Sequence, residues 1–307
     1  MPTYNSKLFL IRFSDSNIKA YPMSALIRQA PAFGVVHERL RLEIDGTLVD
    51  LALFRRAGIS TPILFLHGWG SSKEDYVDIR LYSAFDGQPF IAYDAPGCGE
   101  TWCADLSKVN IAFLVKTAEA VLHHFQISKF HVVGHSMGGL TALQLAHSSP
   151  KSIRSFVNIK GNLAPEDCFI SRQIFDRKSE NIDEFLSDFI SGCRQSSFYS
   201  MPLYAASIRE RVRPGAIKGI FESMVQLSDN GDLLTKFLSF SFPKAFMFGE
   251  QHASLSYLSE LKASGVELME IPKSGHFPMY SNPVAMWLSI QDFMHRADSR
   301  NVTSHQP

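Results

Sequence analysis

VVGHSMGG, residues 132–139, decides how the rest of this 307-residue chain is read. Inside it Gly134-His135-Ser136-Met137-Gly138 fits Gly-x-Ser-x-Gly, a sharp strand-to-helix turn that lifts a serine hydroxyl above the end of a sheet. The surroundings agree. Residues 129–133 form a short β-branched and aromatic run with no breaker, as a buried strand does. Residues 140–146 alternate apolar and small side chains in a helical manner, and Pro150 closes the segment. Glycines flank the serine because the tight turn presses backbone against backbone, where a Cβ would clash. Ser136 is therefore the candidate nucleophile.

Outward from that turn, the same grammar repeats. Residues 36–44 and 48–54 are alternating runs joined by Asp45-Gly46, a strong hairpin signal. Thr61-Pro62 opens a continuous apolar strand at 63–66 that ends in His67-Gly68-Trp69-Gly70, and a second at 90–93 ends in Asp94-Ala95-Pro96-Gly97-Cys98-Gly99. The spacing of Phe113, Leu114, Ala118, Val121, Leu122 and Phe125 predicts a helix from about 107 to 125. Residues 153–159 make another buried strand, running into Lys160-Gly161-Asn162. Apolar strands alternating with helices predict an α/β fold: a mainly parallel central sheet with helices on both faces. Ligands of such sheets gather at the carboxyl ends of the strands. Each of these motifs lies at such an end.

From 165 to 240 the rhythm changes. No clear strand is visible, and helical stretches at 182–190, 203–211 and 217–227 are separated by Gly192, Pro202, Pro214-Gly215 and Asn230-Gly231. This reads as a helical cap, a lid inserted into the strand order near the site. Its aromatic residues, among them Phe169, Phe175, Phe198 and Tyr204, serve core packing first. Any that face the cleft make the substrate apolar. The sheet pattern resumes at 245–248 and 266–271 and finishes with a helix from Pro283 to about 295. The expected organisation is a core of 35–164 and 241–297, a cap of 165–240, an N-terminal arm of 1–34 with no assigned role, and a flexible tail at 298–307.

Thirty Lys and Arg balance thirty Asp and Glu, so no global charge directs the chain to nucleic acid or to an anionic membrane. No apolar run approaches the length of a membrane span, and the apolar stretch near the N-terminus is too short for a signal-peptide core. Cys98, Cys103, Cys168 and Cys193 show neither C-x-x-C nor zinc spacing, which predicts free thiols in a reducing, cytoplasmic setting. No metal or cofactor is called for, and the oligomeric state is left open.

A serine hydroxyl is a poor nucleophile until a base takes its proton. Of eleven histidines, only His276 follows the last expected strand in a loop flanked by Gly275 and Pro278. His135 adjoins the serine with its side chain directed away, His67 braces a glycine turn, and Asp94 organises the turn after its own strand.

Together, His67-Gly68-Trp69, Asp94-x-Pro96-Gly97-x-Gly99, Gly134-His135-Ser136-Met137-Gly138-Gly139 and Ser274-Gly275-His276-Phe277-Pro278 resemble the signatures of the α/β-hydrolase superfamily, over nearly everything from 35 to 295. The resemblance implies Ser136 as nucleophile, His276 as base, and the backbone N–H groups of Met137 and Trp69 as oxyanion hole. It implies hydrolysis of an ester, lactone or related acyl bond in a small to medium apolar substrate, without cofactor; cleavage of a carbon–carbon bond beside a ketone would use the same parts. Serine at the turn argues against the epoxide hydrolase and haloalkane dehalogenase branches. The third triad member departs from the pattern. Most relatives place Asp three residues after the glycine ending the penultimate strand, and counting from Gly249 gives His252; a minority place an acid where this chain has Lys160. Asp167 is the candidate orienter, with Glu166 and Glu250 as the other acids nearby. A rearranged triad, a weakened enzyme and a hydrolase-fold ligand-binding protein all remain open.

Overall fold

The computed structural model describes residues 34–173 and 181–303. Most of the expected N-terminal arm, together with Phe175, lies outside the described residues. Strands β1 (Val36–Ile44) and β2 (Thr47–Arg56) pair antiparallel with Ile44 opposite Thr47. Between them Asp45 and Gly46 sit at φ 48° and 70°, the left-handed pair that lets a two-residue turn match the twist of its strands. The short apolar runs become β3 (Ile63–Leu66) and β4 (Phe90–Tyr93). A two-residue strand, β5 (Trp102–Cys103), pairs with β2; two residues are too few to leave a periodic trace in sequence. Then come β6 (Phe130–His135), β7 (Ile153–Ile159), β8 (Lys244–Gly249) and β9 (Glu267–Ile271).

The sheet runs β1-β2-β4-β3-β6-β7-β8-β9. From β4 to β9 every pairing is parallel, while β1, β2 and β5 attach antiparallel. The inner strands β3, β4 and β6 are buried at every position, which is why they read as unbroken apolar runs. The carboxyl ends of β3, β6, β7 and β8 therefore meet on one rim.

Helix α1 (Ile111–His124) begins later than the apolar spacing implies. Asn110 is extended at φ −147° and its side chain accepts from the Phe113 N–H, so the helix starts there, after a separate 3₁₀ turn at Leu106–Lys108. α2 (Met137–Ser148) follows the Ser136 turn directly. Between β7 and β8 lie α3 (Ile182–Gln195), α4 (Met201–Arg211), α5 (Pro214–Asn230) and α6 (Leu233–Ser239). Their only described strand-like contact is a single bridge from Cys98 to Val212. α7 (Leu258–Ala263), α8 (Pro278–Ser281) and α9 (Pro283–Thr303) complete the chain. α9 extends through 303, so residues 298–303 are helical, not the expected loose tail. Against the sheet, Phe65 stacks on Tyr76 at 4.6 Å and meets Trp287 of α9 edge-on at 5.8 Å. Burying rings of this size contributes about 2–3 kcal/mol each. Among the described residues no helix is long and apolar enough to cross a membrane.

Candidate active site

Ser136 sits between β6 and α2 at φ 51°, ψ −118°, a conformation a side-chain-bearing residue adopts only under constraint. The constraint is visible. A Cβ on Gly134 would lie 2.5 Å from the Gly138 carbonyl oxygen, and one on Gly138 would lie 2.2 Å from that of Leu66. The Ser136 N–H donates to Ile159 O at 3.0 Å, and Leu140 N–H closes the first helical turn on Ser136 O. The turn is thus pinned to β3 and β7 on either side.

The loop after β3 carries Trp69, the second residue expected at the oxyanion hole beside Met137. His67 braces it: Nδ1–H donates to Gly68 O at 2.7 Å, and Nε2 accepts from the Ala95 N–H at 2.9 Å. The Trp69 indole meets Phe221 and Phe189 edge-on at 4.6 and 5.6 Å. Its carbonyl oxygen accepts from the hydroxyl of Tyr204 in α4 at 2.8 Å. Asp94 behaves as its turn requires, since its buried carboxylate accepts from the Lys73 and Glu100 N–H groups and from Lys73 Nζ.

His276 occupies the loop between β9 and α8 and is buried. It lines one small cavity, about 20 Å³, together with Ser136, Trp69 and Tyr204. The structure thus brings nucleophile and base candidates, 140 positions apart, to the walls of one chamber. His135 holds the base loop: its Nε2–H donates to the His276 carbonyl oxygen at 2.8 Å. Burial first, then the neighbouring His135, Lys160 and His252, keeps the His276 imidazole well below the ordinary histidine range. It is neutral at pH 7 and able to accept a proton.

Asp167 is elsewhere engaged. It too borders the small cavity, but its Oδ1 accepts from Lys160 Nζ at 2.5 Å and from the Tyr257 hydroxyl at 2.9 Å. Its Oδ2 accepts from the N–H groups of Leu163 and Ala164 at 2.8 and 3.0 Å. The carboxylate is buried, unlike the solvated acid usual at a helix start. Among the described residues His276 Nδ1 has no hydrogen-bond partner, so no carboxylate of theirs orients the imidazole in this arrangement. Lys160, at φ 46° just past β7, is buried as well. Glu166 accepts from the N–H and hydroxyl of Ser256. Glu250 heads a 3₁₀ turn that ends at His252, whose ring lies 6.0 Å from that of His276. Burial, reinforced by Lys160 and opposed by Asp167, pushes His252 down to about 4.

A larger cavity of about 540 Å³ shares His276, Phe169 and Ile170 with the small one. Phe189, Phe198, Met201 and Leu255 supply more apolar wall, and Lys160 and His252 also line it. Three of these aromatic residues come from the stretch expected to form a cap. Among the described residues no group of three His, Cys, Asp or Glu side chains is placed to hold a metal ion, and the described cysteines are free and buried. Tyr204 is a site neighbour that sequence reasoning leaves among the packing aromatics, and Phe277 is named there only as part of the His276 motif. Their ring stacking, at 4.3 Å, joins residues 73 positions apart and has no local signal.

Comparison with known proteins agrees with this fold. Residues 61–199 match the family described as the alpha/beta hydrolase fold. The chain is similar to the 2-succinyl-6-hydroxy-2,4-cyclohexadiene-1-carboxylate synthase of Klebsiella pneumoniae, with 21% identity over 73% of this chain and 90% of that protein. It is also similar to the pimeloyl-[acyl-carrier protein] methyl ester esterase of Aeromonas salmonicida, with 24% identity over 74% and 93%. Among solved structures, an N-acyl homoserine lactonase in complex with N-hexanoyl homoserine superposes with a TM-score of 0.69 and 16% identity, covering 86% of this chain and 98% of the other. Sheet order, serine turn and these likenesses coincide: the chain has the α/β-hydrolase fold.

Proposed function

We propose that the protein is a serine hydrolase that cleaves a carboxylic ester, lactone or related acyl bond in a small to medium apolar substrate. The observation that carries this reading is Ser136, held at positive φ on the wall of a chamber it shares with a buried, neutral His276. In the proposed reaction His276 takes the Ser136 proton as Oγ bonds to the acyl carbon. The carbonyl electrons move to oxygen, where the Met137 and Trp69 N–H groups stabilise the charge. The leaving group departs with the proton from His276, and water activated by the same imidazole releases the acid. The cap side chains Phe189, Phe198 and Met201, through the 540 Å³ cavity, would receive the apolar part of the substrate. The names of an esterase and a lactonase among similar proteins support this class of bond. A carbon–carbon bond beside a ketone would use the same groups.

With no carboxylate on His276 Nδ1, the reading is of a Ser–His pair. Loss of the orienting acid costs about 10⁴ in turnover where it has been measured in a triad, so slow hydrolysis is expected. One observation favours a second reading, a ligand-binding protein on the same fold: Lys160 stands where a minority of relatives place an acid, and it depresses the basicity of His276. A fluorophosphonate probe separates the two. Ser136 should be labelled and Ser136→Ala should not, with parallel loss of short-chain p-nitrophenyl ester hydrolysis. Failure to label wild-type Ser136, or undiminished hydrolysis by Ser136→Ala, refutes the hydrolase reading.

A further inference from the structure

Tyr204 belongs to α4, in the insertion, yet it touches both loops that carry the proposed chemistry. Its hydroxyl donates to the carbonyl oxygen of Trp69 at 2.8 Å. Its ring stacks on Phe277, the residue after His276, at 4.3 Å and 27°. The contact depends on Gly70, where a Cβ would lie 2.4 Å from the Tyr204 oxygen. Only a residue without a side chain lets the hydroxyl reach. Tyr204 is buried, lines the small cavity with Ser136 and His276, and stays protonated because burial drives its hydroxyl well above the ordinary tyrosine range. The Trp69 indole is packed against Phe189 and Phe221 from α3 and α5. The loop of the oxyanion donor is therefore held on the side chain and on the carbonyl by the inserted helices. Oxyanion donors act by being oriented before charge develops, so that no reorganisation is needed during reaction.

We propose that Tyr204 is a positioning residue through which the inserted helices set the oxyanion loop and the base loop together, so that the insertion completes the catalytic geometry as well as covering it. The proposal rests on the serine hydrolase reading above. Tyr204→Phe is the informative variant, because it keeps the ring stacked on Phe277 and removes only the hydroxyl. It should lower kcat for p-nitrophenyl butyrate about tenfold with KM within about twofold, less than the roughly 10²–10³ lost when an oxyanion donor is deleted. Affinity for a trifluoromethyl ketone, whose adduct with Ser136 places an oxyanion at the Trp69 N–H, should fall by the same factor. Affinity for the matching secondary alcohol should not change. Amide exchange in the segment around residues 67–72 should accelerate. Wild-type kcat and ketone affinity in Tyr204→Phe overturn the inference alone, as does an equal loss for ketone and alcohol, which marks general loosening. A wild-type protein that neither hydrolyses the ester nor binds the ketone overturns the hydrolase reading and this inference with it.

Discussion

Replacing Lys160 by Met removes one half of an ion pair that lies entirely inside the protein. The Lys160 and Asp167 side chains are 2% and 1% exposed. Removing one partner of such a pair leaves the other charge without compensation in a low-dielectric interior, and costs about 3–5 kcal/mol. The two single variants should differ within that range. In Lys160→Met the Asp167 carboxylate keeps the Tyr257 hydroxyl and two backbone N–H groups, so the loss should be near 3 kcal/mol. In Asp167→Asn the Lys160 ammonium loses its anion altogether, and the loss should approach 5 kcal/mol. The double variant Lys160→Met, Asp167→Asn removes both charges and should recover about 2–4 kcal/mol relative to the sum of the singles. Urea unfolding followed by circular dichroism at pH 7.5 measures all four proteins. Additive losses below about 1 kcal/mol per variant would mean that the pair is hydrated or absent in solution, leaving Asp167 free to serve His276. The same variant has an electrostatic consequence: Lys160 lowers the basicity of both His252 and His276. In Lys160→Met both imidazoles should titrate nearer the ordinary histidine range, readable by NMR.

Two more outcomes are expected. His252→Asp places a carboxylate three residues after Gly249, in place of a ring that lies 6.0 Å from that of His276; hydrolysis of a p-nitrophenyl ester should rise at least tenfold, and an unchanged or lower rate in a folded variant would show that this loop cannot deliver an acid to Nδ1. Burial also holds His135 and His252 at about 4 and His276 well below 6.5, so between about 4 and 6.5 the unfolded chain binds protons that the folded one does not. Stability should therefore be full above pH 6.5 and decline as pH falls through that window, by about 3 kcal/mol from His135 alone; a melting temperature that is flat from pH 7.5 to 5 would contradict the buried, neutral state of these rings.

Much of the molecule is legible in local patterns. The hairpin at Asp45-Gly46, the apolar strands ending at Leu66, Tyr93 and Ile159, and the turn at Ser136 are each dictated within a few residues, by alternation, by burial on both faces, or by a backbone contact that only glycine permits. His276 could be singled out for the same reason, as the histidine following the last strand. The start of α1 was decided by the capping geometry of Asn110, finer than hydrophobic spacing resolves, and β5 owes its existence to an edge of β2 that only the folded sheet offers.

What local pattern could not decide is which charges and hydrogen bonds close on one another across the chain. Asp167 and Lys160 are only seven positions apart, yet their pairing depends on Tyr257 and on the backbone of 163–164 turning inward to meet the same carboxylate. Tyr204 reaches Trp69 across 135 positions, and no periodicity separates it from the packing aromatics around it. Secondary structure follows from short-range sterics and burial, which neighbouring residues encode. The electrostatics of a buried site follow from distances between remote side chains, and only the tertiary structure sets those.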